Sequence, residues 1–374
     1  MTSLALLVTR DLDSAKNKWE SGPLRVASSH LAPRISRLSR AESSTRDLAK
    51  HPHSPKTSAF PQTLLSTAPP PASDTYPPRP SFAKRSCIYP PQTAMDLSAM
   101  LGSEPITDPD EEAFVVFSQD IPSSSLGFID AHAESLELTV AGVDLVIHQS
   151  RGLLTSDRKA GTTGAVVWAV TPRFAEWIAA ADNLLFTSGL LSSSSKCIEL
   201  GSGISGIVAL TLGAKIARFT ATDQDYAMKL LRQNITSNLD AVFPAPKKAG
   251  RSKQKPQTST HSSTRITADI LDWEEDSVEQ REPVDLVVAC DCIYIEALIE
   301  PLNTTCASIC KLNTEAEKPT LCVVAQQLRS PDVFEAWLKS FHRLFHTWQV
   351  PDRYLTAGLR ENSGFVVHVG VVRR

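Results

Sequence analysis

Three glycines and an acidic residue lie together where a predicted strand gives way to a predicted helix. Residues 199–206 read ELGSGISG, and glycines at positions 201, 203 and 206 let the backbone turn tightly and approach a bound ligand closely. The spacing G-x-G-x-x-G is also typical of dinucleotide-binding turns. The glycine pattern by itself therefore leaves open which ligand the turn binds.

Two carboxylates help to distinguish a dinucleotide from other cofactors that this turn could bind. Asp223 ends the next predicted strand, where a carboxylate can accept hydrogen bonds from ribose hydroxyls of either class of cofactor. Glu199 stands two residues before Gly201, and a carboxylate there disfavours a pyrophosphate on the helix N-terminus. S-adenosylmethionine has no phosphate and carries an ammonium and a sulfonium, so Glu199 favours this methyl donor as the cofactor.

Acidic and aromatic residues also follow the next two predicted strands. Asp272 and Trp273 end the third strand, and the segment 291–294, with Asp291 and Tyr294 at its ends, follows the fourth. Ligands of open α/β sheets bind beyond the carboxyl ends of the strands. We therefore predict that Trp273 borders the adenine, with a core or rim position as the alternative, and that Asp291 lies at the reaction centre.

These residues need a sheet to position them, and the sequence predicts one. Strands and helices alternate from residue 196 onward, which indicates an α/β fold with a mostly parallel, Rossmann-like seven-strand sheet, helices on both faces and an antiparallel closing edge. A hairpin at 136–148 and a short strand at 114–117 are predicted before it, and Thr171-Pro172 is predicted to begin a helix. Strands are predicted at 196–200, 216–222, 265–271, 284–290, 320–326, 346–350 and 364–372, and helices at 205–212, 226–239, 295–310 and 332–341.

The N-terminal quarter of the chain has a different composition. Residues 1–95 hold 13 Lys and Arg against 6 Asp and Glu and are rich in Ser and Pro, a composition that does not support a packed core. A disordered tail, a targeting segment and an upstream extension with translation starting at Met95 stay open. We predict a low-complexity region over 1–111, a catalytic domain over 112–374, and a flexible basic insertion at 241–263.

Cysteine usage and charge exclude several classes of protein. The seven cysteines are an odd number and lie mostly in apolar runs, which indicates reduced, buried thiols. The pairs Cys290/Cys292 and Cys306/Cys310 lack zinc-site spacing and a neighbouring histidine, so we predict no metal. The formal charge of -3 gives no bias toward nucleic acid, and the apolar runs are too short to span a membrane.

Taken in order, these segments resemble the seven-strand protein-lysine methyltransferases that carry an Asp-x-x-Tyr motif. More narrowly, they resemble the fungal ribosomal lysine methyltransferase 5 subfamily. The resemblance covers residues 112–374 apart from the insertion, and it rests on segments 162–168, 171–177, 199–206, 222–224, 271–274, 291–294 and 328–330.

The resemblance implies a reaction and a set of site residues. We expect S-adenosylmethionine-dependent methylation of a lysine in a 60S large-subunit ribosomal protein, of the L1 type. We also expect a monomer that binds neither nucleic acid nor membrane and is cytoplasmic, with a nuclear pool left open. The implied catalytic residues are Asp291 and Tyr294, and the implied cofactor-binding residues are Trp168, Glu199, Gly201, Gly203, Asp223, Trp273 and Ala289.

Three other functions stay open from the residues alone. A small-molecule, nucleic-acid or other-protein methyltransferase would use the same cofactor site, although no Asn/Asp-Pro-Pro-aromatic segment follows the fourth strand, which argues against base methylation. A non-catalytic S-adenosylmethionine-binding module is the second alternative. A nicotinamide oxidoreductase is the third, and Glu199 counts against it. Asp291 as a helix N-cap and Tyr294 as a packing residue are the structural alternatives for the catalytic pair.

Overall fold

A computed structural model describes residues 96–155, 162–244, 264–315 and 318–374. Within them a seven-stranded sheet has the order β5-β4-β3-β6-β7-β9-β8. The first five strands in this order are parallel, whereas β9 runs antiparallel to both β7 and β8. The bounds are β3 (Lys196–Leu200), β4 (Arg218–Asp223), β5 (Ile266–Ile270), β6 (Leu286–Cys290), β7 (Leu321–Gln327), β8 (Phe345–Gln349) and β9 (Phe365–Val372).

Helices cover both faces of this sheet, as the alternation predicts. In β6 and β7 every residue is buried, which is the pattern of strands packed on both sides. Neighbouring strand residues face opposite layers: Val288 packs in one core cluster and Val287 in the other. One layer holds α4 (Val170–Ile178), α6 (Ile207–Leu212) and α7 (Asp225–Val242), and the other holds α2 (Pro109–Ser118), α8 (Ile299–Leu312) and α9 (Pro331–Leu344). Shorter helices are α1 (Leu97–Leu101), α3 (Arg151–Leu154) and α5 (Leu184–Thr187).

The strand order places the functional edge of the sheet. The chain runs outward from β3 through β4 to β5, and then returns to the other side of β3 with β6 and β7. The carboxyl ends of β3 and β6 therefore flank the point where the order reverses, which is where open α/β sheets bind ligands. Glu199 and Asp291, predicted from sequence to act in the site, come to this edge from these two strands.

The predicted hairpin is confirmed and belongs to the first layer. β1 (Ser135–Val140) and β2 (Val143–His148) pair antiparallel around Ala141 and Gly142. Both turn residues have positive φ, 51° and 76°, as the two-residue hairpin turns that match strand twist require. Asn234 of α7 fixes the hairpin, because its amide accepts from His148 N and donates to His148 O, each at 2.9 Å.

The predicted strand at 114–117 is wrong, because this segment belongs to helix α2. Asp108 caps the helix by accepting from Asp110 N and Glu111 N, and Pro109 occupies its first turn, a start signal that the apolar run concealed. Residues before 112 also pack on the core, and the domain boundary at residue 112 stays a prediction. Leu97 and Leu101 of α1 are buried in the core, and Ile106 N donates to Thr347 O at 2.7 Å.

The remaining differences are shifts of element ends. Helix α4 begins at Val170, one residue before the predicted Thr171-Pro172 start, and a short 3-10 turn (Glu296–Leu298) precedes α8. The predictions for residues 1–95 and for most of the insertion, 245–263, lie outside the described residues.

The described residues contain neither a metal centre nor a membrane span. No group of three or more His, Cys, Asp or Glu side chains among them is arranged to hold a metal ion. The six described cysteines are all free and buried. A search of the same residues finds no helix with the length and apolar character that crossing a membrane requires.

Candidate active site

The glycine loop after β3 is built so that side chains cannot fit. Gly201, Gly203 and Gly206 have φ of 68°, 60° and 62°, a region that favours glycine. A Cβ at Gly201 would lie 2.6 Å from Cys292 Sγ, and a Cβ at Gly203 would lie 2.9 Å from Gly164 O. Gly164 O also accepts from Ile204 N at 2.9 Å. The loop therefore leaves its backbone bare, as a close ligand requires.

Glu199 is the buried acid of this loop. Its side chain accepts a hydrogen bond from Ser202 Oγ at 3.0 Å, and the residue is 3% exposed. Burial raises the pKa of Glu199 from 4.5 to about 8, against the lowering effect of the Ser202 hydrogen bond. A buried carboxyl of this kind becomes ionised when a cation comes beside it. The ammonium and sulfonium of S-adenosylmethionine fit that requirement, whereas a pyrophosphate does not.

Asp223 ends β4 beside the same loop. Its Oδ2 accepts from Gly203 N and its Oδ1 from Gln224 N, both at 2.8 Å. Burial raises its pKa from 3.8 to about 6, although the two backbone hydrogen bonds act in the opposite direction. Each carboxylate oxygen retains acceptor capacity, so Asp223 can still receive the two ribose hydroxyls that the sequence analysis assigns to it.

Trp273 forms the far wall of the glycine loop. A Cβ at Gly201 would lie 3.0 Å from the ring atom Cζ2 of Trp273, so only glycine lets the ring approach this closely. The indole Nε1 is buried and has no hydrogen-bond partner, which is costly unless a ligand supplies an acceptor. Gln224 Nε2 donates to Asp272 Oδ2 at 2.9 Å and so connects this wall to Asp223. These features fit an adenosine between β4 and Trp273.

Asp291 has a strained backbone and a carboxylate held by several hydrogen bonds. Its φ of 60° is rare for a residue other than glycine, and its N–H donates to Ala325 O at 2.7 Å. Arg329 binds both carboxylate oxygens, from Nη1 to Oδ1 at 2.7 Å and from Nη2 to Oδ2 at 2.6 Å. Gln327 N also donates to Oδ1, at 3.1 Å. The N-cap alternative is wrong, because the next helical turn begins at Glu296.

Arg329, the partner of Asp291, is a residue that the sequence analysis did not single out. Its guanidinium carbon lies 4.5 Å from the centre of the Trp168 ring, a cation–π contact, while it pairs with Asp291. The sequence did contain one indication of this residue, a cation two residues after the end of β7 and inside the segment 328–330. Breaking such a buried pair leaves an uncompensated charge, which costs about 3–5 kcal/mol.

Trp168 is held from two sides besides Arg329. Its Nε1 donates to Thr163 O at 3.0 Å, and its ring centre lies 4.2 Å from that of Phe128. Thr163 adjoins Gly164, which contacts the glycine loop, so Trp168 joins the loop after β3 to the end of β7. The structure thus brings Trp168 to Asp291 and Arg329.

The last two predicted site residues differ in accessibility. Ala289 is wholly buried inside β6, between Leu200 of β3 and Val324 of β7, so its side chain packs in the core and its role as a cofactor contact stays a prediction. Tyr294 is half-buried at a cleft beyond the sheet. Burial raises the pKa of its hydroxyl, and a hydrogen bond with the Thr163 side chain acts in the opposite direction.

The neighbouring thiols are packing groups. Cys292 Sγ donates to Leu200 O at 3.2 Å and fills the space under Gly201. Burial raises the pKa of Cys290 and Cys292 well above the usual value, so both stay neutral and are poor nucleophiles.

The fold and this site define a class I methyltransferase. A sequence profile of the lysine methyltransferase family matches residues 148–341, just over half of the chain. The chain therefore belongs to the lysine methyltransferase family, within its fungal ribosomal lysine methyltransferase 5 branch, and S-adenosylmethionine is its cofactor.

Individual relatives agree with this assignment. Ribosomal lysine N-methyltransferase 5 of Zygosaccharomyces rouxii is 31% identical over 224 residues, which are 52% of this chain and 70% of that protein. The protein of the same name from Vanderwaltozyma polyspora is 26% identical over 243 residues, 56% of this chain and 74% of that protein. Among solved structures, an S-adenosylmethionine-dependent methyltransferase from Clostridium acetobutylicum is similar with a TM-score of 0.36 and 9% identity, over 54% of this chain and 92% of that one. A similarity of this size supports no conclusion about this chain.

Proposed function

We propose that this methyltransferase modifies a lysine of a large-subunit (60S) ribosomal protein, of the L1 type. The observation that carries the ribosomal part is the shared name of the relatives, which are ribosomal lysine N-methyltransferases. The L1 type rests on the subfamily resemblance of segments such as 199–206 and 291–294. A small-molecule acceptor, another protein acceptor and a non-catalytic binding module are the alternatives that the experiment below distinguishes.

The residues of the chain divide the work between donor and acceptor. When bound, S-adenosylmethionine supplies an electrophilic methyl group on a sulfonium. Glu199 would balance its positive charge, Asp223 would hold its ribose, and Trp273 would border its adenine. Because the reaction is an in-line displacement, the main task of the protein is to align the acceptor nitrogen with the methyl carbon.

The acceptor lysine must arrive without its extra proton. A free lysine has a pKa of about 10.4, and its neutral form is favoured by desolvation and by neighbouring cations. Asp291 and Tyr294 are the proposed catalytic residues. The Asp291 carboxylate has filled three of its four acceptor positions, so one position on Oδ2 is left for an amine N–H. The Tyr294 ring would flank the methylene stem of the lysine.

The experiment is transfer of labelled methyl from S-adenosylmethionine by the full chain to purified 60S subunits, to the isolated L1-type protein, and to a fungal lysate. Asp291→Ala should lose more than 95% of the transfer, since the variant removes the acceptor-side carboxylate and leaves Arg329 unpaired. Asp240→Ala is the matched control, because Asp240 is exposed on α7.

Label in the L1-type protein supports the whole proposal. Label only in another ribosomal protein retains the ribosomal substrate and refutes the L1 type. Label only in small molecules refutes a protein acceptor, and cofactor binding by calorimetry without any transfer identifies a binding module. Full activity of Asp291→Ala would remove Asp291 from the catalytic residues.

A further inference from the structure

A cleft opens beyond the carboxyl ends of β6 and β7, next to the Asp291–Arg329 pair. The space between protein atoms there, open solvent included, is about 230 Å³, and its walls include Ile293, Tyr294, Gln326, Arg329 and Phe334. The aromatic and aliphatic side chains suit the methylene stem of a lysine. Among the residues that the structure describes, no carboxylate lines this cleft, and Arg329 is its charged residue.

Gln326 provides an unpaired polar group in the same wall. The residue is 1% exposed, and its Nε2 is buried without a hydrogen-bond partner. Buried amide groups without partners are rare and costly in folded proteins. The Nε2 group is a donor, so a carbonyl oxygen of the substrate peptide would satisfy it.

Arg329 is fixed in place by three neighbours at once. It makes two hydrogen bonds to Asp291, it lies over the Trp168 ring, and its Nη2 donates to Gln327 Oε1 at 3.3 Å. Gln327 Oε1 also accepts from Gly127 N at 2.6 Å. The guanidinium is thus an immobile cation at the cleft, with 24% of its side chain exposed and its counter-ion Asp291 only 1% exposed.

We propose that Arg329 is the positioning residue of the acceptor site, and that its fixed guanidinium makes this cleft admit the acceptor lysine in its neutral form. This inference rests on the proposed lysine methyltransferase activity and names the side chains that receive the lysine. Asp291 and Trp168 hold Arg329, and Gln326 supplies a donor for a carbonyl group of the substrate peptide.

The charges around the cleft support a neutral guest. An ammonium entering the cleft would leave water and meet the Arg329 cation, and both effects lower the pKa of a lysine. Tyr294 lines the cleft, and because burial raises the pKa of its hydroxyl it enters as a neutral group. The other titratable groups lie outside the lining. Asp291 is paired with Arg329 and keeps one acceptor position on Oδ2, Asp332 of α9 is exposed to solvent, and His368 of β9 and Glu112 of α2 lie behind Phe334.

The test is the pH dependence of kcat for the protein substrate that the full chain methylates, because kcat reports ionisations in the bound complex. In Arg329→Gln the rising limb of the curve of kcat against pH, where the bound lysine loses its proton, should move at least one pH unit higher. Since one pKa unit changes the neutral fraction about tenfold, kcat at pH 7 should fall about tenfold. Arg329→Lys keeps the cation and should restore much of the limb.

Two further variants keep the result interpretable. The double variant Asp291→Asn/Arg329→Gln leaves no unpaired buried charge. Its kcat should be low at every pH, because Asp291 is a proposed catalytic residue, but the rising limb of its remaining activity should also move upward, which separates the missing cation from any loss of folding. Arg343→Gln, which removes a surface cation paired with Glu300, should keep the wild-type limb. S-adenosylmethionine affinity by calorimetry should stay within threefold in every variant.

The outcomes distinguish a failure of the proposed role of Arg329 from a failure of the proposed function. Wild-type limbs in Arg329→Gln and in the double variant would refute the role of Arg329 while leaving the methyltransferase function intact. A wild-type enzyme that methylates no lysine would refute the proposed function, and this inference with it.

Discussion

Replacing Glu199 with glutamine tests the assignment of the cofactor site by counting protons. In the free protein, burial raises the pKa of Glu199 to about 8, so about nine tenths of the side chains are protonated at pH 7. A cation bound beside Glu199 favours its charged form. Binding of S-adenosylmethionine should therefore release close to one proton for each molecule bound. Asp223, with a pKa of about 6, adds only about a tenth of a proton at this pH.

Isothermal titration calorimetry in buffers of different ionisation enthalpy measures this proton release directly, as the slope of the observed enthalpy. The wild-type slope at pH 7 should correspond to about one proton released, and Glu199→Gln should abolish it. Loss of a charge-assisted contact of about 1.5–3 kcal/mol should also weaken binding about tenfold to a hundredfold. S-adenosylhomocysteine, which lacks the sulfonium, should give the same slope if the ammonium is the group beside Glu199.

Glu199→Gln should weaken cofactor binding, but it should stabilise the free protein at high pH. The pKa of Glu199 is higher in the folded than in the unfolded chain, so the stability that the protonated group contributes is present below about pH 4.5 and is lost as pH rises to about 8. The difference corresponds to about 5 kcal/mol at about 1.4 kcal/mol for each pKa unit. Urea unfolding at pH 9 should therefore find Glu199→Gln more stable than the wild type, by up to this amount. A buffer-independent enthalpy in the wild type, or equal stabilities at pH 9, would refute the reasoning.

Two further substitutions test the glycine loop and the hairpin. Gly201→Ala places a Cβ 2.6 Å from Cys292 Sγ at a φ of 68°, so it should weaken S-adenosylmethionine binding at least tenfold. Gly189→Ala, at a φ of 78° with open space around it, is the control and should leave the affinity unchanged. Equal affinities of the two variants would show that the close approach at Gly201 is unimportant. Asn234→Ala removes hydrogen bonds to both the N–H and the carbonyl of His148 and to Ile204 O. Urea unfolding should therefore show a free energy of unfolding lower by about 2–4 kcal/mol. A decrease below about 0.5 kcal/mol would contradict the role of Asn234 in fixing the hairpin.

Local patterns were sufficient for most of the fold. The alternation of strands and helices predicted all seven strands of the sheet to within two residues of their observed ends. The apolar runs of β6 and β7 were the clearest of these signals, since such runs need cover on both faces. The cofactor side of the site was equally accessible, because the glycine loop, Glu199 and Asp223 lie at the ends of neighbouring strands. Local patterns failed at α2, where the apolar run 114–117 concealed the Asp108-Pro109 helix start.

The pairing of Asp291 with Arg329, on the proposed acceptor side of the site, could not be predicted from the sequence. Asp291 was predicted at the reaction centre, but its partner Arg329 lies 38 residues further along the chain, and no local spacing relates the two. Strand pairing of β6 with β7 brings them together, and a third segment supplies Trp168 beneath the guanidinium. The carboxylate that the sequence predicted at the reaction centre is therefore held in a bidentate ion pair.

The sequence by itself determined the strands, the bare backbone of the glycine loop and the acids beside that loop, because each depends on residues near one another in the chain. Tertiary structure alone decided which charges are paired, which polar groups are buried without a partner and where the acceptor cleft opens. Those properties depend on distances between side chains of β6, β7 and α9, and these distances exist only once the sheet has formed.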